Sequence, residues 1–262
     1  MITSKKNPRL QNIRALLQDR KTRDESGQFV IEGVRLIEDA VSHGADISEV
    51  YYSNIISERG SRVVQILRDR NIPVEEVQES IFNAVMDTST SQGLAAVCRK
   101  HEITLPDNLD FIVVADQLRD PGNLGTVIRT AASAGAQAVL TTPESVDLYS
   151  PKVLRSAMGA HFHIICGEME WNDLEKIKTR KASETITAYV ATANGELLCW
   201  QGDFTRPTMI IIGSEADGAT ESAYKVADYR LSIPMPGKME SLNAAVAAGI
   251  LIFEVVRQRT GK

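Results

Sequence analysis

Two uninterrupted apolar runs, Phe111–Ala115 and Met209–Gly213, constrain the fold of this chain more than any other feature. Neither shows the polar alternation of a strand with one wet face. Runs of this kind are strands covered on both sides, as in a parallel sheet flanked by helices. The neighbouring segments alternate accordingly. Strands are expected at Ala138–Thr141, His163–Ile165, Thr187–Ala191 and Tyr229–Ile233. Helices are expected at Leu124–Ala134, Lys152–Met158, Trp171–Arg180, a short turn near Glu221, and Leu242–Arg259. Topology rules alone draw this half as an open, unknotted, doubly wound α/β sheet.

The first half is a smaller α/β unit. Leu10, Ile13, Leu16 and Leu17 recur at helical spacing and predict a helix over 9–20. Strands follow at Gln28–Ile31, Ile47–Ser53, Ile72–Val77 and Leu94–Cys98, with helices over Val34–Ser42, Arg62–Arg70 and Ser80–Met86 and a loop at Asp87–Gly93. The stretch His101–Asp110, with Pro106 and Asn108, reads as a connection. The expected organisation is therefore a domain over residues 1–100, a linker over 101–109 and a second domain over 110–262.

The charge distribution bears on the partner. The chain carries a net charge of −5, yet residues 1–25 hold seven Lys or Arg (Lys5, Lys6, Arg9, Arg14, Arg20, Lys21, Arg23) against three acids. A basic patch on an otherwise acidic protein suits phosphate contacts, although charge runs are commonly no more than solvated helix faces. Aromatics make up only 5% of the residues, too few for a wide base-stacking platform. Cys98, Cys166 and Cys199 lie far apart without metal-ligand spacing, which argues for a reducing compartment and no zinc site. No apolar run has the length of a membrane span and no signal-peptide layout is present, so the expected location is the cytoplasm.

Three loops follow strands of the second half, where α/β sheets bind ligands. The first runs from Asp116 through Asp120–Pro–Gly–Asn123–Leu–Gly125 to Arg129. Asn123 and Arg129 stand nearly two helical turns apart and could border one cleft. The second is Gly213–Ser–Glu215–Ala–Asp–Gly218. The third is Ile233–Pro–Met235–Pro–Gly–Lys–Met–Glu–Ser241–Leu242–Asn243, in which Ser241 stands as the N-cap of a long helix. That helix is small or apolar on nearly every side, and so should be buried on more than one. Neither GxGxxG with a distal acid nor GxxxxGK[ST] occurs, which counts against a nucleotide-using reductase.

In this order the three loops resemble the motifs of the SpoU (TrmH) family of RNA ribose methyltransferases, within the SPOUT class. Asp120–Ala131 is similar to D-P-x-N-x-G-x-I-x-R-T-A, Gly213–Gly218 to G-N/A-E-G-x-G, and Ile233–Asn243 to I-P-M-x-G-x-x-x-S-L-N. Ser150–Gly159 also resembles the stretch between the first two. The likeness covers 110–262. The first half resembles the accessory RNA-binding domain of the family in phrases such as Phe29–Val–Ile–Glu–Gly33.

The resemblance implies a deep trefoil knot in the C-terminal domain, S-adenosylmethionine as cofactor and a homodimer whose site uses both subunits. It implies cofactor contacts at Gly213, Ile233, Met235 and Leu242, and a catalytic set of Asn123, Arg129, Glu215, Ser241 and Asn243. The implied reaction is 2′-O-methylation of a ribose in structured RNA. Large-subunit ribosomal RNA is preferred because of the separate N-terminal domain. A tRNA substrate is the alternative, and a catalytically inactive RNA-binding protein of the same fold is the alternative of another class. Arg129 is either the base or, since guanidinium is rarely deprotonated, an orienting group that stabilises oxyanion charge. Two positions depart from the pattern: Ser214 replaces Asn or Ala, and Ala216 replaces Gly. A glycine at 216 would matter either for a positive φ or for space.

Overall fold

The structure is a computed structural model that describes residues 1–86, 91–179, 185–237 and 239–261. The Asp87–Thr90 part of the expected loop, the expected helix end at Arg180 and Lys238 of the third motif lie outside the described residues. The chain forms two compact units, Met1–Glu102 with Tyr149–Leu154, and Ile103–Leu148 with Arg155–Lys262.

In the first unit, α1 (Pro8–Gln18) begins at Asn7, whose side chain accepts from Arg9 N, with Pro8 in the first turn. The expected helix over 9–20 breaks at Asp19. Its extended backbone ends α1, and its carboxylate caps a second helix, α2 (Arg20–Ser26), by accepting from Lys21 N and Thr22 N. The strands β1 (Gln28–Glu32), β2 (Ile47–Tyr52), β3 (Val74–Glu76) and β4 (Leu94–Arg99) form a sheet in the order β1-β4-β2-β3. Both neighbours of β4 run antiparallel to it, while β3 pairs parallel with β2. The helices α3 (Val34–Ser42), α4 (Glu58–Asp69) and α5 (Glu79–Met86) complete the unit. Leu10, Ile13 and Leu16 of α1 enter a core with Tyr51, Phe82 and Val97.

The basic N-terminal segment is largely committed within its own unit. Arg9 pairs with Glu75, Arg20 with Asp24 and Lys21 with Glu25. Arg23 is buried and donates to the Leu16 carbonyl. Lys5, Lys6 and Arg14 are exposed and have no ion pair among the described residues.

The second unit is built on seven parallel strands: β5 (Phe111–Ala115), β6 (Ala138–Thr141), β7 (Ile165–Glu168), β8 (Thr187–Ala191), β9 (Leu197–Leu198), β10 (Thr208–Ile212) and β11 (Tyr229–Ser232). Their order is β7-β6-β5-β10-β8-β11-β9. Every residue of β5 and β10 is buried, so the two apolar runs are the centre of the sheet and pair with each other. The expected strand at His163–Ile165 lies further on: a 3-10 turn occupies Ala160–Phe162, and pairing with β6 starts at Ile165. The helices are α6 (Pro121–Ser133), α7 (Pro151–Ala157), α8 (Trp171–Thr179), α9 (Glu221–Val226) and α10 (Ala244–Thr260). Ile103 and Leu105 pack against the core of this unit, and Leu109 belongs to it. No helix of the described residues is long and apolar enough to cross a membrane.

Candidate active site

Chain order reverses between β5 and β10: β6 and β7 lie on one side of β5, and β8, β11 and β9 lie beyond β10. A crevice opens at such a point beyond the carboxyl ends of the strands. The loops after β5, β8, β10 and β11 meet there.

The loop after β5 is held at almost every residue. Asp116 is fully buried; one carboxylate oxygen accepts from Thr142 Oγ1 at 3.0 Å and the other from Thr220 N at 2.6 Å. Its charge thus ties the ends of β5 and β6 to the start of α9, and buried carboxylates persist only with such partners. Gln117 has φ +52°, a region that costs energy in a residue with a side chain, and donates its N–H to Thr142 Oγ1 at 3.0 Å. Leu118 is fully buried and its carbonyl accepts from Val146 N at 2.8 Å. Asp120 caps α6 by accepting from Asn123 N at 2.8 Å.

The loop after β10 is a tight hairpin. Ser214 N donates to Gly218 O at 2.9 Å and Gly218 N returns to Ser214 O at 3.1 Å. Ser214 Oγ accepts from Asp217 N at 3.1 Å, so the departure from the family pattern at 214 supplies a bond inside the turn. Gly213 could not carry a side chain, because an added Cβ would lie 2.2 Å from Ala219 N. Ala216 has no positive φ, so of the two reasons for a glycine there only space applies.

This hairpin walls a cavity of about 460 Å³. Gly213, Ile233, Met235 and Leu242 all line it, as do Glu215 and Ser241. Thr192, after β8, and Tyr224, on α9, line it as well; neither had a sequence signal, because nothing local ties them to the other loops. A cavity of this size suits a small-molecule ligand. Met235 and Leu242 offer apolar contact, and Glu215, Asp217 and Glu240 bring negative charge to the same cavity. That donor set fits a ligand with an apolar ring, an ammonium and a sulfonium.

At the rim, three expected catalytic residues are hydrogen-bonded in series. Asn243 Nδ2 donates to Asn123 Oδ1 at 3.0 Å, and Asn123 Nδ2 donates to a Glu215 carboxylate oxygen. Asn243 is also the N-cap of α10, its Oδ1 accepting from Ala245 N at 2.9 Å and Val246 N at 3.2 Å. Ser241 therefore does not cap the helix: α10 starts two residues later than expected. Ser241 stands on the cavity wall.

Arg129 stands apart from this series. Six residues along a helix turn a side chain by about 120° and carry it about 9 Å down the axis. Asn123 therefore faces Glu215 and Asn243, while Arg129 lies exposed in line with Thr126 and Ser133 and has no ion pair among the described residues. Asp116 escaped the sequence reading of the site, although an acid ending an uninterrupted apolar strand was the available signal.

Comparison with known proteins places the chain in a family. The model of the SpoU rRNA methylase family matches residues 110–253, more than half of the chain. The chain belongs to the SpoU rRNA methylase family. Residues 7–96 match the MRM3-like substrate binding domain. The chain is 32% identical over 254 residues to the 23S rRNA (guanosine(2553)-2′-O)-methyltransferase RlmP of Bacillus subtilis, covering 97% of this chain and 98% of RlmP. It is also 32% identical over 272 residues to the 23S rRNA (uridine(2479)-2′-O)-methyltransferase of Streptomyces viridochromogenes, covering 98% and 92%. The crystal structure of the SpoU methyltransferase AviRb from Streptomyces viridochromogenes in complex with AdoMet superposes with a TM-score of 0.87 at 30% identity, covering 97% of this chain and 99% of that one. As a member of this family the chain takes S-adenosylmethionine as its cofactor.

One consequence of the Asn243 arrangement is measurable. Asn243→Ala removes both the helix cap and the bond to Asn123, and should lower stability by about 1 kcal/mol. Asn243→Asp keeps an acceptor for the cap but presents oxygen to Asn123 Oδ1. It should melt like the unaltered protein while losing methyl transfer. Equal activity of the Asp variant would show that the Asn123 bond has no part in the reaction.

Proposed function

We propose that the chain transfers a methyl group from S-adenosylmethionine to the 2′-hydroxyl of one ribose in large-subunit ribosomal RNA, acting in the cytoplasm as a homodimer. The observation that carries this reading is the Glu215–Asn123–Asn243 series on the rim of the cavity, within a SpoU frame. The cofactor supplies an electrophilic methyl carried on a sulfonium. The protein must place the ribose hydroxyl in line with that methyl, which is chiefly a positioning task. Asn123, held from both sides, is a rigid polar group for that purpose. Gly213, Ile233, Met235 and Leu242 would hold the cofactor, and Ser241 would shape the loop around it. Glu215 accepts from Asn123 and keeps its amide turned toward Asn243. Arg129 would orient the hydroxyl or its phosphate and stabilise the oxyanion charge that develops as the proton leaves.

Ribosomal RNA is favoured over tRNA because residues 7–96 match a substrate binding domain and the named relatives, matched over 98% and 92% of their length, are 23S rRNA enzymes. The first unit would grip a folded RNA element, with Lys5, Lys6 and Arg14 as the cations left for phosphates. The homodimer is supported by α10. Its Ala248, Leu251, Ile252 and Val255 are fully buried, while Val246, Ile250 and Phe253 form an exposed apolar stripe at helical spacing. The trefoil knot belongs to the same reading. What supports it is the position of β10 between β5 and β8, both earlier in sequence.

The deciding measurement is tritiated S-adenosylmethionine with total RNA from a strain lacking the gene, followed by mapping of the label. Label on a ribosomal ribose is expected. Label on tRNA ribose would correct the substrate alone, and label on a base or on protein would overturn the reaction. Arg129→Ala should lower transfer by about a hundredfold or more, the scale of losing a charge stabiliser, while cofactor binding persists. Full activity in that variant would remove Arg129 from the reaction.

A further inference from the structure

Arg119 presents an exposed side chain from a loop after β5 that is otherwise bound down to the protein. Its neighbours are all anchored: Asp116 on two elements, Gln117 N on Thr142, Leu118 in the core and Asp120 on the first turn of α6. The left-handed Gln117 turns the chain so that Leu118 points in and Arg119 points out. Backbone strain held by so many bonds is characteristic of sites that present a group for use. The Arg119 side chain is 59% exposed, and its ionic partner is Asp217 at 3.6 Å, itself 68% exposed. A pair this open and this long contributes little to stability. Packing and pairing therefore do not account for Arg119.

Its place in the site does. Asp217 lies on the hairpin that walls the cavity, two residues after Glu215, and Arg119 lies four residues before Asn123. The guanidinium thus stands at the rim where the ribose must be presented. The cavity itself is acidic, with Glu215, Asp217 and Glu240 among its lining. An RNA strand approaching it meets repulsion unless a cation offsets these charges. The single 3.6 Å contact to Asp217 leaves the parallel N–H groups of the guanidinium available, and a phosphate can meet two of them at once.

We infer that Arg119 binds a backbone phosphate next to the target ribose, and that Asp217 holds the guanidinium in place until RNA takes it over. This rests on the proposed ribose methylation of RNA and names a contact within that reaction. Arg119 belongs to the RNA side of the site; the cofactor side does not need it.

The test uses the full-length protein with unmodified large-subunit ribosomal RNA transcribed in vitro and tritiated S-adenosylmethionine. In Arg119→Ala, KM for RNA should rise about tenfold at physiological salt, with kcat within about twofold, and the log–log salt dependence of RNA binding should become shallower by about 0.7–0.9 for the one phosphate lost. Arg119→Lys should recover part of the affinity and the full salt slope. Asp217→Asn should lower KM several-fold, because the guanidinium is then free. Affinity for S-adenosylmethionine, measured by calorimetry, should be unchanged in both Arg119 variants. An unchanged KM and salt slope in Arg119→Ala would overturn the inference, as would a loss of cofactor affinity equal to the loss of RNA affinity. Absence of ribose methylation by the unaltered protein would overturn the proposed function itself, and this contact with it.

Discussion

Gly213→Ala is expected to lower the affinity for S-adenosylmethionine by about ten- to a hundredfold, the equivalent of the ~1–3 kcal/mol that overpacking costs. The cause is steric. Gly213 has no positive φ, so alanine would tolerate its backbone conformation. The added methyl carbon, however, would lie 2.2 Å from Ala219 N, 2.3 Å from Gly218 C and 2.5 Å from Gly218 O. These are backbone atoms and cannot swing aside as a side chain would. Relief requires opening the Ser214–Gly218 hairpin, and that hairpin bears Glu215 and forms a wall of the cavity. Overpacking of this kind costs about 1–3 kcal/mol of stability, which should appear as a lower Tm. Calorimetry with the cofactor and a thermal melt of the same sample check both effects. Normal heat and an unchanged Tm would show that the hairpin yields without cost and that Gly213 is not needed for the pocket.

The second large effect is expected at α10. The double variant Ile250→Glu, Phe253→Glu should be monomeric at micromolar concentration and should lose methyl transfer, whereas the unaltered protein is expected to be a dimer by light scattering. Ile250 and Phe253 are 40% and 50% exposed, and they share one side of the helix with Val246. The opposite side, including Leu251 and Val255, is fully buried, so the glutamates would not disturb the core. In a two-fold interface every substitution appears twice. Central apolar contacts of an interface are each worth about 2 kcal/mol, so the two positions, each present twice, correspond to about 8 kcal/mol, on the order of a millionfold weakening. A monomeric unaltered protein, or a dimeric double variant, would remove α10 as the contact surface.

The fold was legible where local pattern and tertiary environment agree. Phe111–Ala115 and Met209–Gly213 read as strands of a parallel sheet covered on both faces because nothing polar interrupts them, and β5 and β10 are fully buried parallel strands. The helix expected from Leu124 in fact begins at Pro121, three residues earlier, where Asp120 supplies the cap and Pro121 a fixed φ in the first turn. Other features had no local trace. β9 is two residues long, too short for periodicity, and exists through its pairing with β11. The break at Asp19 was hidden because the apolar spacing of 9–20 outweighed a cap residue inside it.

The site divides along the same physical line. Residue types and order in the three loops determined the family, the cofactor class and the reaction, because motifs record the chemistry that a site must offer. Position in space came only from tertiary structure. Ser241 and Asn243 are both good N-cap residues, and local propensity does not choose between them. In the fold Asn243 caps α10 while its amide bonds to Asn123, 120 residues earlier in the chain. Spacing allowed Asn123 and Arg129 to border one cleft, but helical rotation carries them to different sides of α6. Arg119 and Asp217 are nearly 100 residues apart in sequence and meet because β5 pairs with β10. Sequence by itself determined which chemical groups this protein brings, through patterns that are local. Which of them meet was decided by strand order in the sheet, since that order rests on contacts between residues far apart in the chain.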